Sequence, residues 1–362
     1  MRRWLFSLGL LLLPGAGAAA GGDKVLNVYN WADYIGETTV ADFEAEFGIE
    51  VNYDLYDSTA VVDARLLAGK SGYDVVLTAL RYSARLIDVG VFRPLDRGSL
   101  PLWGNLDPWV LDAMSAYDPG NRYAVPYMWG TTGFAYNVEM VRERMPDAPL
   151  DSAALVFAPE NAARFADCGI SLLDESTMVI PMVMQYLGHD ANSIDVAELA
   201  EAEAALKAVR PYIRYFSSAK ALNDLPNGEI CIAMSWSGDY AQARARAEES
   251  GIDVELAYMV PREGTVLFFD ALMIPADAPH PENAHRFLNY LLRPEVIAPI
   301  SDLLRYANAN RASLPLIDPE LLGDPAAYPR VEEHPTWQAG VIYEPKLERL
   351  RTRAWSRVKT GL

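Results

Sequence analysis

The sequence predicts an α/β protein of two domains arranged around a pocket suited to an organic cation. Three observations carry this. At 362 residues the chain exceeds the size at which one core stops growing. Its first half alternates strands and helices at the spacing of a βαβ series. Three apolar runs also lead into an aromatic residue followed within three positions by an acid: Trp31 and Asp33, Trp236 and Asp239, Phe268 and Asp270.

Taken in order, Arg2 and Arg3, an apolar run from Trp4 to Leu13, Pro14-Gly15 and the small residues ending at Ala20 form a secretory signal peptide. The run is too short to span a bilayer as a mature helix, and no comparable stretch follows. A soluble mature protein beginning near Gly21 is expected. No cysteine stands at the cleavage site, which argues against a lipid anchor of the bacterial lipoprotein type.

The opening strand starts at Val25. Thr38 or Thr39 caps a helix with Val40, Phe43 and Phe47 on one face and Gly48 at its end. Ile49 to Tyr56 alternates as a strand, Thr59 to Leu67 is a helix, and Tyr73 to Leu77 is a buried parallel strand. A helix from Arg81 to Val89 precedes a tract broken by Pro101, Pro108, Pro119 and Pro126. Tyr127 to Asn137 is an apolar strand interrupted by Gly130-Thr131-Thr132-Gly133, a plausible crossing between domains. The second half repeats the pattern: helices at Pro159 to Ala166, Thr177 to Leu187 and Val196 to Val209, strands at Gly169 to Leu173, Ile213 to Phe216 and Ile230 to Met234. A helix from Tyr240 to Glu249 and strands at Val254 to Tyr258 and Leu267 to Ile274 follow. There is no solenoid repeat and no low-complexity tract.

In an open α/β sheet, ligands collect beyond the carboxyl ends of strands, where Trp31, Asp33 and Tyr34 would stand. An aromatic face attracts a cation and a carboxylate pairs with it. For this stretch taken alone, a core tryptophan and a helix-capping aspartate are the favoured explanation. Three repetitions of one composition make them walls of one pocket.

The apolar content of 51% and charged content of 22% are those of a globular chain. The net charge is −18, and without the first twenty residues 29 basic stand against 49 acidic residues, a net of −20. That balance repels nucleic acid and anionic lipid and favours cationic solutes. Cys168 and Cys231 are the only cysteines, and an exported chain favours their pairing, worth roughly 4 kcal/mol by loop entropy, over two buried free thiols. No G-x-S-x-G, phosphate-binding G-x-x-x-x-G-K, H-E-x-x-H or C-x-x-C occurs. His189, His280, His285 and His334 show no ligand spacing, so surface roles are expected, with no metal and no cofactor. The basic C-terminal helix, with Lys346, Arg349, Arg351, Arg353, Arg357 and Lys359, is expected to pack through Leu347, Leu350, Trp355 and Val358 and to present its charges to solvent.

The stretches Val28-Tyr29-Asn30-Trp31-Ala32-Asp33-Tyr34-Ile35, Pro126-Tyr127-Met128-Trp129-Gly130-Thr131-Thr132-Gly133, Asn227-Gly228-Glu229-Ile230-Cys231, Phe268-Phe269-Asp270, Tyr306-Ala307-Asn308-Ala309-Asn310 and Arg351-Thr352-Arg353-Ala354-Trp355 resemble the periplasmic polyamine-binding proteins of ABC transporters, most closely the putrescine-binding branch. The resemblance covers essentially the whole mature chain. It implies the type II periplasmic binding protein fold, two α/β lobes joined by crossing strands and closing on ligand. The expected division is a signal peptide over 1–20, an N-terminal lobe from 24–128 and 254–300, and a C-terminal lobe from 129–253 and 301–362. By the same resemblance Trp31, Tyr34, Trp236, Phe268 and Tyr306 box an aliphatic diamine, Asp239 and Asp270 hold one ammonium, Asp33 lines the pocket, and Cys168 and Cys231 are bridged. The implied partners are a small polyamine and the transporter's permease, the implied state a monomer in the periplasm.

Departures from that pattern lie at the far end of the pocket. Met178 stands where the putrescine-binding branch has a glutamate for the second ammonium, with Glu175 one helical turn earlier and able to face the same way. Ala32 and Ala79 replace small hydroxyl residues. Arg81 lies near the pocket mouth, where it would repel a second ammonium, pair with a ligand carboxylate, or point to solvent. Agmatine or an amine carrying a carboxylate is therefore the second expectation. An exported enzyme using Asp239 and Asp270 as acid and base is a distant third, lacking any nucleophile, metal set or cofactor motif.

Overall fold

A computed structural model describes residues 24–361 apart from 57, 58, 332, 333 and 335. The expected signal peptide lies outside the described residues. Eleven strands occur among the described residues: β1 (Val25–Trp31), β2 (Glu50–Tyr56), β3 (Val75–Ala79), β4 (Ala124–Asn137), β5 (Ile170–Leu172), β6 (Ile213–Phe216), β7 (Ile232–Trp236), β8 (Leu256–Met259), β9 (Thr265–Met273), β10 (Ala307–Asn308) and β11 (Trp337–Ala339). The main path runs β2-β1-β3-β9-β4-β7-β5-β6. β1 is parallel to β2 and β3, and β5 is parallel to β6 and β7, while β9 and β4 run antiparallel between these two parallel groups.

The crossing strand is β4. Its first half pairs with β9 and its second half, from Thr132 to Tyr136, with β7, so one strand belongs to both half-sheets. All fourteen of its residues are buried, as expected of a strand covered on both faces. Its glycines serve close approach rather than flexibility. A Cβ on Gly133 would sit 2.4 Å from the Met259 carbonyl oxygen, and one on Gly130 2.8 Å from the Phe268 ring.

Two large cores flank the crossing. The first gathers residues from Leu26 to Trp129 and from Leu267 to Ala309; the second gathers Phe134 to Met234, Met259, Val266 and the last helix. The expected division therefore shifts at two places. Leu256 and Met259 pack with the second half, because β8 pairs with the C-terminal end of β4, and Leu304 to Ala309 pack with the first, because β10 pairs with Met128 and Trp129.

Most helices fall where the pattern puts them: Thr39–Phe47 ends at Gly48 with φ 62°, Thr59–Leu67 and Val196–Val209 match, and Leu80–Asp88 starts one residue early. Two helices that the pattern does not mark, Pro281–Leu291 and Pro294–Leu304, each open on a proline at the first turn, where its fixed φ favours helix. The helix Pro345–Thr360 packs Ala354, Trp355 and Val358 into the second core and ties down through Arg357 to Glu203 (2.7 Å) and Lys359 to Asp174 (2.6 Å). Arg351 departs from expectation: it is buried, not solvated. So does His285, which accepts from the Asp96 amide (2.9 Å) and contacts the Pro281 carbonyl (2.7 Å), while His280 pairs with buried Asp74 at 3.0 Å. A disulfide joins Cys168 and Cys231, with Cα atoms 5.6 Å apart. No described helix is long and apolar enough to cross a membrane.

Candidate functional site: two carboxylates among aromatic rings

β1 delivers the first wall. Buried Asn30 fixes the turn after it: its Oδ1 accepts from the Trp31 amide (2.7 Å) and its Nδ2 donates to the Tyr34 carbonyl (3.1 Å), which also accepts from the Tyr127 hydroxyl (3.1 Å). This aims Tyr34 across to β9, where its hydroxyl donates to Asp270 Oδ2 at 2.7 Å. Asp270 lies within β9, not at its end, and its backbone faces Ala79 at the carboxyl end of β3. The third acidic stretch thus reaches the strand ends through antiparallel pairing.

The second acid comes from the other half. β7 runs into the helix Ser237–Glu249 with Trp236 as its N-cap and Asp239 in its first turn. Tyr306 donates to Asp239 Oδ1 at 2.6 Å. Tyr306 is turned inward because Arg305 ends the helix Pro294–Leu304 in the left-handed region (φ 61°) and Ser301 Oγ then donates to the Tyr306 carbonyl. The Tyr34 and Tyr306 rings meet edge to face at 6.1 Å, Phe268 lies 5.7 Å from Tyr306 and Trp236 6.4 Å from Phe268. A Cβ at Gly238 would fall 2.3 Å from the Tyr306 ring, so only glycine fits there.

Burial dominates the electrostatics. Asp239 and Asp270 are both pushed up to about 6 by desolvation, with Asp239 adding repulsion at Asp270 and the two phenol bonds opposing the rise. The helix N-terminus beside Asp239 favours its anion but does not outweigh burial. Arg246 acts on Asp239 from a distance; no described lysine or arginine hydrogen-bonds to either carboxylate. Tyr34 and Tyr306 are raised well above their ordinary value by burial and by these acids, so they stay neutral donors.

Trp31 lies against Tyr56, ring centres 4.2 Å apart, and Tyr56 is close enough to feel the Asp270 charge. Asp33 is exposed at the turn, with φ 52°, whereas the acid pair is buried. The expected pocket-lining acid is therefore not one of the buried ones.

The far side differs from its sequence pattern. Glu175 is not on the helix of Met178 but is the extended residue before it, the N-cap of Ser176–Tyr186. Its carboxylate accepts from Tyr82 Oη at 2.6 Å, and burial raises its pKa, opposed by Tyr82 and Arg81. Tyr82 also meets the Thr177 hydroxyl (2.7 Å), and Arg81 Nη1 donates to the Thr177 carbonyl (2.7 Å). Arg81 thus spans the two halves instead of pointing to solvent. Met178 is buried, with its sulfur 3.6 Å from the Thr132 hydroxyl. Tyr82 carries no aromatic–acid signature in the sequence; only its place one residue after Arg81 hinted at it.

The family profile described as bacterial extracellular solute-binding protein matches residues 38–329. The chain belongs to that family. It is 44% identical to the putrescine-binding periplasmic protein PotF of Escherichia coli, with 99% of this chain and 98% of that one aligned. It is 42% identical to a putrescine/agmatine-binding protein of Pseudomonas aeruginosa, over 98% of each. Its fold superposes on a solved spermidine/putrescine substrate-binding protein PotD of Streptococcus pneumoniae with a TM-score of 0.80 at 25% identity, covering 93% of this chain and 99% of that one. The family is one of binding proteins, not enzymes, so Asp239 and Asp270 need no catalytic reading.

Proposed function

We propose that the protein captures an aliphatic polyamine in the periplasm and presents it to the permease of an ABC transporter. The observation that carries this is the pair Asp239 and Asp270: two desolvated carboxylates, each held by a neutral phenol, walled by aromatic rings and hydrogen-bonded to no cationic side chain of the described residues. An ammonium entering between them restores the charge balance that burial disturbs, while Trp236, Phe268 and Tyr306 cover its methylenes. Trp31 and Tyr34 belong to the same wall. The relatives whose names carry putrescine support the class of ligand.

The second cation would lie toward Glu175. Its carboxylate is already bonded to Tyr82 and sits beside Thr177, an acceptor that suits an ammonium or, with both oxygens, the planar guanidinium of agmatine. Calorimetric titration with putrescine, spermidine, agmatine and butylamine tests the reading. The diamines or agmatine should bind at least tenfold tighter than butylamine, and absence of heat with all four would refute it.

A further inference from the structure

The last helix buries a cation that the amine site does not use. Arg351 is 2% exposed, and its Nη1 and Nη2 make no well-formed hydrogen bond to any described residue, although the Tyr343 hydroxyl is near enough to favour its charge. Its guanidinium lies 4.2 Å from the centre of the Tyr343 ring, and Arg81 approaches the same ring at 5.7 Å. The two arginines are near enough that Arg81 helps push the Arg351 pKa down, burial being the main cause. Arg81 also packs on Gly340, where a Cβ would sit 2.6 Å from its Nη1 and 3.2 Å from the Tyr117 hydroxyl.

Three acids lie in the neighbourhood: Glu175 faces Arg81 through space with its carboxylate bonded to Tyr82, and Asp190 and Glu348 lie on the Tyr343 side. Asp190 Oδ1 already accepts from the Asn192 amide (2.8 Å) and Gln338 Nε2 (3.2 Å). Glu348, one turn before Arg351 on the same helix, acts on it through space but forms no hydrogen bond to it. A guanidinium removed from water without a hydrogen-bonded counter-charge is among the costliest groups to bury, and a ring face offsets only part of that.

We propose that Arg351 and Arg81 form a buried site for a small monovalent anion, such as chloride or formate, beside the Tyr343 ring. Burial excludes large anions, and the guanidinium edges supply charge-assisted donors. Arg81 comes from the helix Leu80–Asp88 beside the first core and Arg351 from the helix packed on the second, so one anion held by both ties the two halves together.

The test needs no amine. Melting temperature is measured in chloride, bromide, formate and gluconate at fixed ionic strength. Chloride, bromide and formate should raise it by about 2 °C or more over gluconate, the gain expected when a folded-state site fills. Arg351→Met should abolish the gain, and Arg81→Gln, at a less buried position, should abolish it too. Crystals grown in bromide should show anomalous density between the two guanidinium groups. Equal anion responses in wild type and both variants, or bromide crystals with no density there, would overturn the proposal. So would a wild type indifferent to anions beside a responsive Glu348→Gln, since Glu348 would then be the counter-charge.

Discussion

Replacing Asp270 by Asn separates what the acid does for binding from what it does to stability. The carboxyl is held at about 6 against an ordinary 3.8, so at pH 8 its burial costs the ligand-free protein roughly 3 kcal/mol. A group whose folded pKa is raised is stabilising only below its unfolded value and loses that as pH rises through the folded one. The cost is therefore greatest above pH 6, falls to about half at pH 5 and disappears below 3.8. Asn keeps the acceptor for the Tyr34 hydroxyl but leaves a buried amide NH₂ short of partners, which returns about 1–3 kcal/mol of the gain. We expect Asp270→Asn to melt at or above wild type by about 1–3 °C at pH 8, with the difference smaller at pH 5. Its affinity for the best amine should fall at least a hundredfold, as when one partner of a desolvated ion pair is removed, worth about 3–5 kcal/mol. Differential scanning calorimetry at both pH values and isothermal titration read the two effects. Binding within threefold of wild type, or a melting point well below wild type at pH 8, would refute the charge argument.

Other perturbations have equally definite outcomes. If Asp239 and Asp270 hold the ammonium as proposed, both must be ionised, and with burial pushing both up to about 6 the amine affinity should drop about a hundredfold from pH 7.5 to pH 5, read by titration in buffers of constant ionic strength; a flat profile contradicts the paired-acid site. Gly238→Ala would drive a Cβ into the Tyr306 ring and should weaken amine binding more than tenfold while the fold, followed by circular dichroism, persists. Removing the disulfide by Cys168→Ser with Cys231→Ser should lower stability by about 4 kcal/mol in denaturant titrations, from the loop of separation 63, with little effect on amine affinity.

Much of this architecture is legible in the chain because it rests on local signals. Strand and helix periods place β1, β2 and β6 and the helices Thr59–Leu67 and Val196–Val209, since each buries one face or both against a single neighbouring layer. The aromatic–acid stretches point to Asp239 and Asp270 for the same reason: composition at a strand end is a local property. What fails is whatever depends on pairing across the chain. Asp270 reads as a strand end but is interior to β9, and only its register with Ala79 brings it to the mouth of the parallel strands. Asp33 has the right spacing, yet a turn with positive φ carries it outward. His285 reads as a loop residue because the helix Pro281–Leu291 that buries it announces itself only by a proline. Arg351 reads as one more charge on a basic helix, and nothing in its neighbours shows that Tyr343 lies over it.

The far end of the pocket turns on the same distinction. On an unbroken helix, Glu175 and Met178 would share a face about 5 Å apart along the axis, and the acid would simply be displaced by one turn. Instead Glu175 precedes the helix, extended, with Tyr82 from the other half bonded to its carboxylate at 2.6 Å. Its charge is thus tied to the approach of the two halves, and a ligand's second cation would meet Glu175 only where Tyr82 and Thr177 also converge. Glu175→Gln should then weaken spermidine, putrescine and agmatine while leaving butylamine within twofold, and Tyr82→Phe should reproduce part of that loss by freeing the carboxylate from its partner. Met178→Glu would bury a second acid beside the Thr132 hydroxyl, near Glu175, and should raise putrescine affinity only if the cation reaches that depth. Calorimetric titration of the three variants against the four amines distinguishes these depths. If Glu175→Gln and Met178→Glu both leave every affinity unchanged, the second cation lies elsewhere and Glu175 serves only to join the two halves through Tyr82.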